Sequence, residues 1–127
     1  MLNKSGSIIS IVDDDESVRE ATEARMKSLG FGARTFSSAA DFLASPGIED
    51  TSCMVVDIHM PHMTGVELHR RLIDLGYAIP TILITAYPDE GVRARALAEG
   101  VICYLVKPFD DEDLLHCVRL ALGDQAG

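Results

Sequence analysis

The chain has 127 residues, enough for one domain with a substantial hydrophobic core. It contains 11 lysines and arginines and 20 aspartates and glutamates. The resulting formal net charge of −9 predicts no direct nucleic-acid binding by this domain. No stretch has the length and apolar character of a membrane span, and the polar residues 1–7 hold no signal-peptide core. A cytoplasmic location without membrane contact is therefore expected.

Short apolar runs alternate with helix-like segments along the chain. The five runs typical of strands are Ile8–Val12, Ala33–Phe36, Cys53–Asp57, Pro80–Thr85 and Val101–Val106. The five segments with helical spacing are Glu16–Leu29, a segment from Ser38 to Pro46, Thr64–Leu75, Pro88–Glu99 and Asp111–Leu122. Five strand–helix units predict an α/β domain whose parallel sheet has helices on both faces.

Local signals refine three of the predicted helices. Ser38 and Asp41 have the spacing of a capping box. Leu68, Leu72 and Leu75 are expected to share the buried face of the third helix, and Asp110 is expected to cap the last one.

Polar side chains stand where four of the predicted strands end. They are Asp13 and Asp14 after the first strand, Asp57 after the third, Thr85 after the fourth and Lys107 after the fifth. The carboxyl ends of parallel strands form one edge of an open sheet, which is where ligands bind. Three close carboxylates repel one another, and an all-oxygen set of ligands favours Mg²⁺, with Mn²⁺ as a substitute. Lysine and threonine donors beside such an ion suit phosphoryl oxygens, and a carboxylate there can act as a nucleophile.

The three cysteines, Cys53, Cys103 and Cys117, form no CxxC pair. Each lies in an apolar strand-like or helix-like run. We interpret them as small buried hydrophobic residues in a reducing cytoplasm.

Four motifs in this order resemble those of the receiver domain of two-component response regulators. They are Val12-Asp13-Asp14, Asp57-Ile58-His59-Met60-Pro61 with Gly65, Thr85-Ala86 and Lys107-Pro108-Phe109. The resemblance covers about residues 7–122 and implies a flavodoxin-like doubly wound sheet of strand order 2-1-3-4-5 with five helices. It also implies that residues 1–127 form a single receiver domain, whose polar tail at 123–127 is compatible with the start of a linker.

The resemblance assigns roles to the strand-end residues. Asp57 is implied to be the phosphoacceptor. Asp14 is implied to bind Mg²⁺ directly, and Asp13 to bind it directly or through a water. The main-chain carbonyl of His59 is implied to be a further metal ligand.

Other implied roles concern the phosphoryl group and the switch. Thr85 is expected to donate its hydroxyl to a phosphoryl oxygen, and Lys107 to pair with the phosphoryl group and, before that, with Asp57. The Lys107–Pro108 peptide is expected to be cis. Tyr104 matches the aromatic switch position, and the side chains of His59 and Tyr87 occupy positions that tune phosphoryl lifetime.

The resemblance implies a signalling switch rather than an enzyme, with a sensor histidine kinase as its partner. Phosphorylation is expected to favour a homodimer through residues 88–122. The motifs look most like those of receivers joined to a helix-turn-helix DNA-binding output, which predicts control of transcription by a domain outside this chain. A complete single-domain regulator that acts through protein contacts is the alternative.

Two other classes of protein are disfavoured. An FMN-binding protein is disfavoured because Asp13-Asp14-Asp15 repels a phosphate ester. A haloacid-dehalogenase-type phosphatase is disfavoured because His59 stands where its second acid is expected.

Overall fold

Five parallel strands form the centre of the computed structural model, which describes residues 6–123. The strands are β1 Ile8–Val12, β2 Gly32–Phe36, β3 Cys53–Asp57, β4 Thr81–Thr85 and β5 Cys103–Val106. Their order across the sheet is β2-β1-β3-β4-β5, which confirms the predicted fold class. The order reverses between β1 and β3, so this type of sheet places its ligand crevice at their carboxyl ends.

Within the described residues, four α-helices and one short 3₁₀ turn connect the strands, and a fifth helix follows the last strand. They are α1 Glu16–Ser28, α2 Ala39–Leu43, the turn Ile48–Asp50, α3 Gly65–Asp74, α4 Glu90–Ala98 and α5 Asp111–Ala121. Apolar residues of α2, α3 and α4 form a cluster on one face of the sheet. Residues of α1 and α5 form a second cluster on the opposite face. Both faces of the sheet are thereby covered.

Burial on both faces explains why the strand sequences are apolar throughout. Ile82 and Leu83 are neighbours on β4 and both are 0% exposed, yet they belong to opposite clusters. Full burial of such a side chain stabilises the fold by about 1.5–3 kcal/mol. Strands covered on one face alternate between apolar and polar residues, whereas these do not.

The structure corrects the predicted start of α4 and the predicted face of α3. The α4 helix begins at Glu90, and Asp89 caps it by accepting a hydrogen bond from the Val92 N–H at 3.1 Å. Pro88 therefore lies before the cap rather than inside the helix. Leu75 follows the last residue of α3 and is 54% exposed, so the prediction that it lies on the buried face is wrong.

Two predicted helix caps are only partly formed. The Ser38 hydroxyl accepts a hydrogen bond from the Asp41 N–H at 3.0 Å, as a capping box requires. The Asp41 carboxylate, however, accepts a hydrogen bond from the Ser37 hydroxyl instead of returning to Ser38. Asp110 occupies the N-cap position of α5 without a side-chain capping hydrogen bond.

Within residues 6–123, no helix combines the length and the apolar character needed to cross a membrane. The predicted linker start falls mostly on residues 124–127, which lie outside the described part of the chain, as do residues 1–5.

Candidate acidic site at the sheet edge

Three carboxylates converge at the carboxyl ends of β1 and β3. These strands pair directly, so Asp13 and Asp14 after β1 lie beside Asp57, the last residue of β3. One carboxylate oxygen from each residue lies within 4.8 Å of the other two. Asp13 and Asp57 are only 3% and 7% exposed, whereas Asp14 faces solvent. The structure thus brings together the three acids predicted to be neighbours.

Lys107 supplies a positive charge to this cluster from the end of β5. Its Nζ lies 3.4 Å from Oδ1 of Asp57 and 3.8 Å from Oδ2 of Asp13. The Lys107–Pro108 peptide is cis, as the family resemblance implied. The ammonium group is therefore shared by two buried carboxylates.

Burial makes the charged forms of these carboxylates costly. Desolvation raises the pKa of Asp57, the nearby charge of Asp13 raises it further, and Lys107 opposes the rise. Desolvation likewise raises the pKa of Asp13, against the hydrogen bond that its Oδ1 accepts from the Asp15 N–H at 2.9 Å. The single positive charge of Lys107 therefore does not balance the negative charges of the acidic cluster.

The donor chemistry of the cluster fits a divalent cation. Its closely placed side-chain ligands are carboxylate oxygens, which suit Mg²⁺ and Mn²⁺. The pKa values of Asp13 and Asp57 are raised in the protein alone, and a bound cation lowers the cost of keeping both ionised. Asp13, Asp14 and Asp57 are therefore the residues that could hold a metal.

The hydroxyl of Thr85 lies at the end of β4 and is held by its own loop. Thr85 is 0% exposed, and its Oγ1 accepts a hydrogen bond from the Tyr87 N–H at 2.9 Å. On the adjacent strand, the hydroxyl of Tyr104 accepts a hydrogen bond from the Asp89 N–H at 3.1 Å. Because Asp89 caps α4, the start of this helix is connected to the predicted switch residue.

His59 and Tyr87 contact each other, a relationship that the sequence did not reveal. Their ring centroids are 5.2 Å apart, and the rings meet edge to face at an interplanar angle of 88°. Both residues are exposed, and they come from the loops after β3 and β4. The pair therefore joins two loops at the sheet edge that carries Asp57 and Thr85.

Gly65 fixes the path of the loop that follows Asp57. Its N–H donates to the Ile58 carbonyl at 2.9 Å. A Cβ atom at this position would lie 2.6 Å from the Asp57 carbonyl oxygen, closer than real Cβ atoms approach. Glycine is therefore required where α3 begins against the end of β3.

The cysteine interpretation is confirmed for one residue and wrong for two. Cys53 is buried and free, and burial raises the pKa of its thiol to about 12. Cys103 and Cys117 instead form a disulfide with a Cα–Cα distance of 6.0 Å. The pairing was missed because residues 14 apart meet only when α5 packs on β5.

The fold and the site together define a class of protein: a doubly wound α/β domain with a cluster of acids and one lysine at its ligand edge. A family model for the response regulator receiver domain matches residues 9–119. The chain belongs to the response regulator receiver family. This membership sets aside the flavin-binding and dehalogenase-type alternatives.

Known relatives agree with this assignment. The chain is 40% identical over 121 residues to the response regulator protein TmoT of Ectopseudomonas mendocina, covering 95% of this chain and 55% of TmoT. It is 35% identical over 118 residues to the transcriptional regulatory protein TdiR of Thauera aromatica, covering 93% of this chain and 52% of TdiR. The crystal structure of FixJ-N matches with a TM-score of 0.85 at 33% identity, covering 100% of this chain and 99% of that one. The chain therefore spans about half the length of these two curated relatives.

Proposed function

We propose that the chain is a phosphorylation-dependent switch of a two-component system that accepts a phosphoryl group from a sensor histidine kinase on Asp57. The observation that carries this proposal is the position of the Asp57 carboxylate. It lies 3.4 Å from the Lys107 ammonium, with oxygens of Asp13 and Asp14 within 4.8 Å. A nucleophile surrounded by phosphoryl-stabilising groups suits phosphoryl transfer.

The residues of the site divide the work of transfer. The Asp57 carboxylate attacks phosphorus in line, a P–O bond forms, and the bond to the kinase histidine breaks. Lys107 stabilises the phosphoryl oxygens. Asp13, Asp14, Asp57 and the main-chain carbonyl of His59 would hold Mg²⁺, or Mn²⁺ in its place, which would supply positive charge for the phosphoryl oxygens. The chain supplies these groups itself, so acetyl phosphate is also expected to serve as donor.

Phosphorylation changes what Thr85 and Tyr104 contact. Thr85 gives up the hydrogen bond from the Tyr87 N–H and donates its hydroxyl to a phosphoryl oxygen. Tyr104 then fills the space behind Thr85 and releases the Asp89 N–H at the start of α4. Residues 88–122 thereby change shape, which favours a homodimer. A difference of a few kcal/mol between the two arrangements is sufficient for such a population shift.

The biological setting is proposed from the relatives. TdiR is a transcriptional regulatory protein of which this chain covers only 52%. We therefore propose that a DNA-binding output lies outside this receiver domain, whose core covers about residues 7–122. The receiver itself is proposed to make no direct contact with nucleic acid. A single-domain regulator that acts through protein contacts remains the second candidate. In either case the protein acts in the cytoplasm, catalyses its own phosphorylation and slow dephosphorylation, and is not an enzyme for a separate substrate.

The test is intact-protein mass spectrometry after incubation with acetyl phosphate and Mg²⁺. The parent chain is expected to gain one phosphoryl group. Asp57→Asn and the addition of EDTA are each expected to abolish the gain. Asp74→Asn is the matched control, because Asp74 is an exposed residue at the end of α3. A gain that persists in Asp57→Asn would refute Asp57 as the phosphoacceptor.

A further inference from the structure

A covalent bond links the last strand of the sheet to the last helix. Cys103 is the first residue of β5, and Cys117 lies within α5. Their Cα atoms are 6.0 Å apart, within the separation that a disulfide spans. Cys117 is 4% exposed, and Cys103 is partly exposed on the same apolar cluster. The packing of α5 on β5 thus places two thiols at bonding distance in this fold.

The segment closed by this bond contains two groups of the switch. Tyr104 follows Cys103 directly and packs against the apolar cluster on the other face of the sheet. Its hydroxyl accepts a hydrogen bond from the Asp89 N–H at 3.1 Å. Lys107 lies further along the same segment, 3.4 Å from the Asp57 oxygen. A bond at Cys103 therefore holds β5 against α5 next to the residue whose movement the switch requires.

We propose that Cys103 and Cys117 are a redox modification site that sets the balance between the two states of the switch, an inference that rests on the proposed function. The disulfide holds β5 and α5 as one unit and opposes the movement of Tyr104. The dithiol form releases this restraint and favours the phosphorylated arrangement. In a cytoplasm that keeps thiols reduced, a disulfide within a protein is usually transient and serves catalysis or redox sensing.

The oxidant required by this step is a hydroperoxide. The thiolate of Cys103, the more accessible residue, attacks a peroxide oxygen, the O–O bond breaks, and a sulfenic acid forms as hydroxide leaves. The Cys117 sulfur attacks the sulfenic sulfur, the S–O bond breaks, and hydroxide leaves again. The two protons from the thiols convert both hydroxides to water, so two thiols and one hydrogen peroxide give one disulfide and two waters. A dithiol reductant reverses the bond by thiol–disulfide exchange and is itself oxidised to a disulfide.

The first measurement tests formation of the bond in the 127-residue chain. After hydrogen peroxide treatment, intact mass is expected to show the loss of two hydrogens. Maleimide labelling after denaturation is expected to detect one thiol, that of Cys53, where the reduced chain shows three. Cys117→Ser is expected to abolish the mass loss, whereas Cys53→Ala, the matched control, keeps it. Labelling of three thiols after oxidation overturns the proposal.

The second measurement compares oxidised and reduced wild-type chain in Mg²⁺ with beryllofluoride, which mimics the phosphoryl group. The disulfide and beryllofluoride favour different states of the switch. The disulfide must therefore weaken the binding of beryllofluoride, by the same factor by which bound beryllofluoride disfavours the disulfide. We expect about fivefold or more weaker binding by the oxidised form. Cys117→Ser is expected to bind equally before and after peroxide treatment. Equal or tighter binding by the disulfide form overturns the redox proposal alone. Absence of beryllofluoride binding in both forms instead refutes the proposed phosphoryl site, and the redox proposal falls with it.

Discussion

The Nζ atom of Lys107 lies 3.4 Å from Oδ1 of Asp57 and supplies positive charge where two buried carboxylates meet. Asp13 is the second of these, at 3.8 Å from the same ammonium group. A single positive charge cannot neutralise both acids together with the neighbouring Asp14. The geometry is thus suited to a further positive charge when a phosphoryl group is brought in.

Loss of the lysine charge is expected to slow phosphorylation. In Lys107→Met the phosphoryl oxygens lose a cationic donor that is already placed beside Asp57. Removal of one such stabilising donor lowers a rate by about 10²-fold or more. The rate of mass gain with acetyl phosphate and Mg²⁺ measures this effect. Lys27→Met is the control, because Lys27 pairs with Glu23 on the exposed surface of α1. An unchanged rate in Lys107→Met would argue against its proposed role.

The raised carboxyl pKa values predict how the metal-free protein responds to pH. The folded pKa values of Asp13 and Asp57 lie above the ordinary value of 3.8, so the native state binds more protons than the unfolded state between the two. The contribution of these groups to the free energy of unfolding is therefore greatest below the ordinary value and falls as pH rises through the raised pKa values.

Denaturant unfolding across this pH window, without divalent cations, checks the direction of the pH effect. Asp57→Asn is expected to weaken the pH dependence and to raise the free energy of unfolding above the window, because it removes one of the two buried carboxylates whose charged forms are costly. Mg²⁺ is expected to stabilise the parent chain more than this variant. If the difference in the free energy of unfolding between parent and variant changes with pH in the opposite direction, burial is not the main influence on the pKa of Asp57.

Much of the site follows from where the strands end. Runs such as Cys53–Asp57 are apolar until their last residue, since both faces of the strand are covered and only its end reaches the open edge. A charge at that point predicts both the end of the strand and the place of the side chain. The positions of Asp13, Asp57 and Lys107 could therefore be predicted before any tertiary contact was known.

Contacts between distant elements could not be predicted in this way. The Cys103–Cys117 bond depends on how α5 packs on β5, and spacing along the chain does not specify that distance. The contact between His59 and Tyr87 joins two loops whose conformations are set by several local hydrogen bonds. Leu75 lies one residue beyond the end of α3 and is 54% exposed, although its spacing matches that of the buried Leu68 and Leu72. Helical periodicity indicates a face but not where the helix stops.

Gly65→Ala is expected to disturb the end of β3. The new Cβ would meet the Asp57 carbonyl oxygen at 2.6 Å and the Ile58 Cα at 3.1 Å, and backbone must shift to relieve these contacts. We expect a loss of about 1–3 kcal/mol in the free energy of unfolding, with slower phosphorylation of Asp57. Denaturant titration and the acetyl phosphate assay measure the two effects.

Gly91→Ala provides the control for that substitution. Within 4 Å its new Cβ meets only an oxygen of the Asp89 side chain, at 3.3 Å, and alanine favours the helix by up to about 1 kcal/mol. This variant is expected to keep or raise stability. Equal losses in both variants would show that the close approach at Gly65 is not the cause.

The disulfide is expected to stabilise the fold as well as restrain the switch. It closes a segment with a sequence separation of 14, and a crosslink of this size stabilises a protein by about 3 kcal/mol through the entropy of the unfolded chain. The free energy of unfolding, measured with and without a dithiol reductant, is expected to fall by this amount on reduction. Cys117→Ser is expected to unfold identically in both conditions. A parent chain that is insensitive to the reductant contradicts the prediction.

The contact between His59 and Tyr87 is expected to slow the loss of the phosphoryl group. The two rings meet edge to face at 5.2 Å, beside the sheet edge at which water must approach Asp57. His59→Ala and Tyr87→Ala are each expected to speed dephosphorylation by about 2- to 10-fold, the factor that corresponds to the energy of such an aromatic pair.

The double variant is expected to be little faster than either single variant, because one substitution already removes the contact. Decay of the phosphorylated mass in Mg²⁺ gives these rates, with Asp74→Ala at the exposed end of α3 as the control. Single-variant rates equal to the parent rate would show that the pair does not protect the phosphoryl group, and additive effects would show that the two side chains act separately.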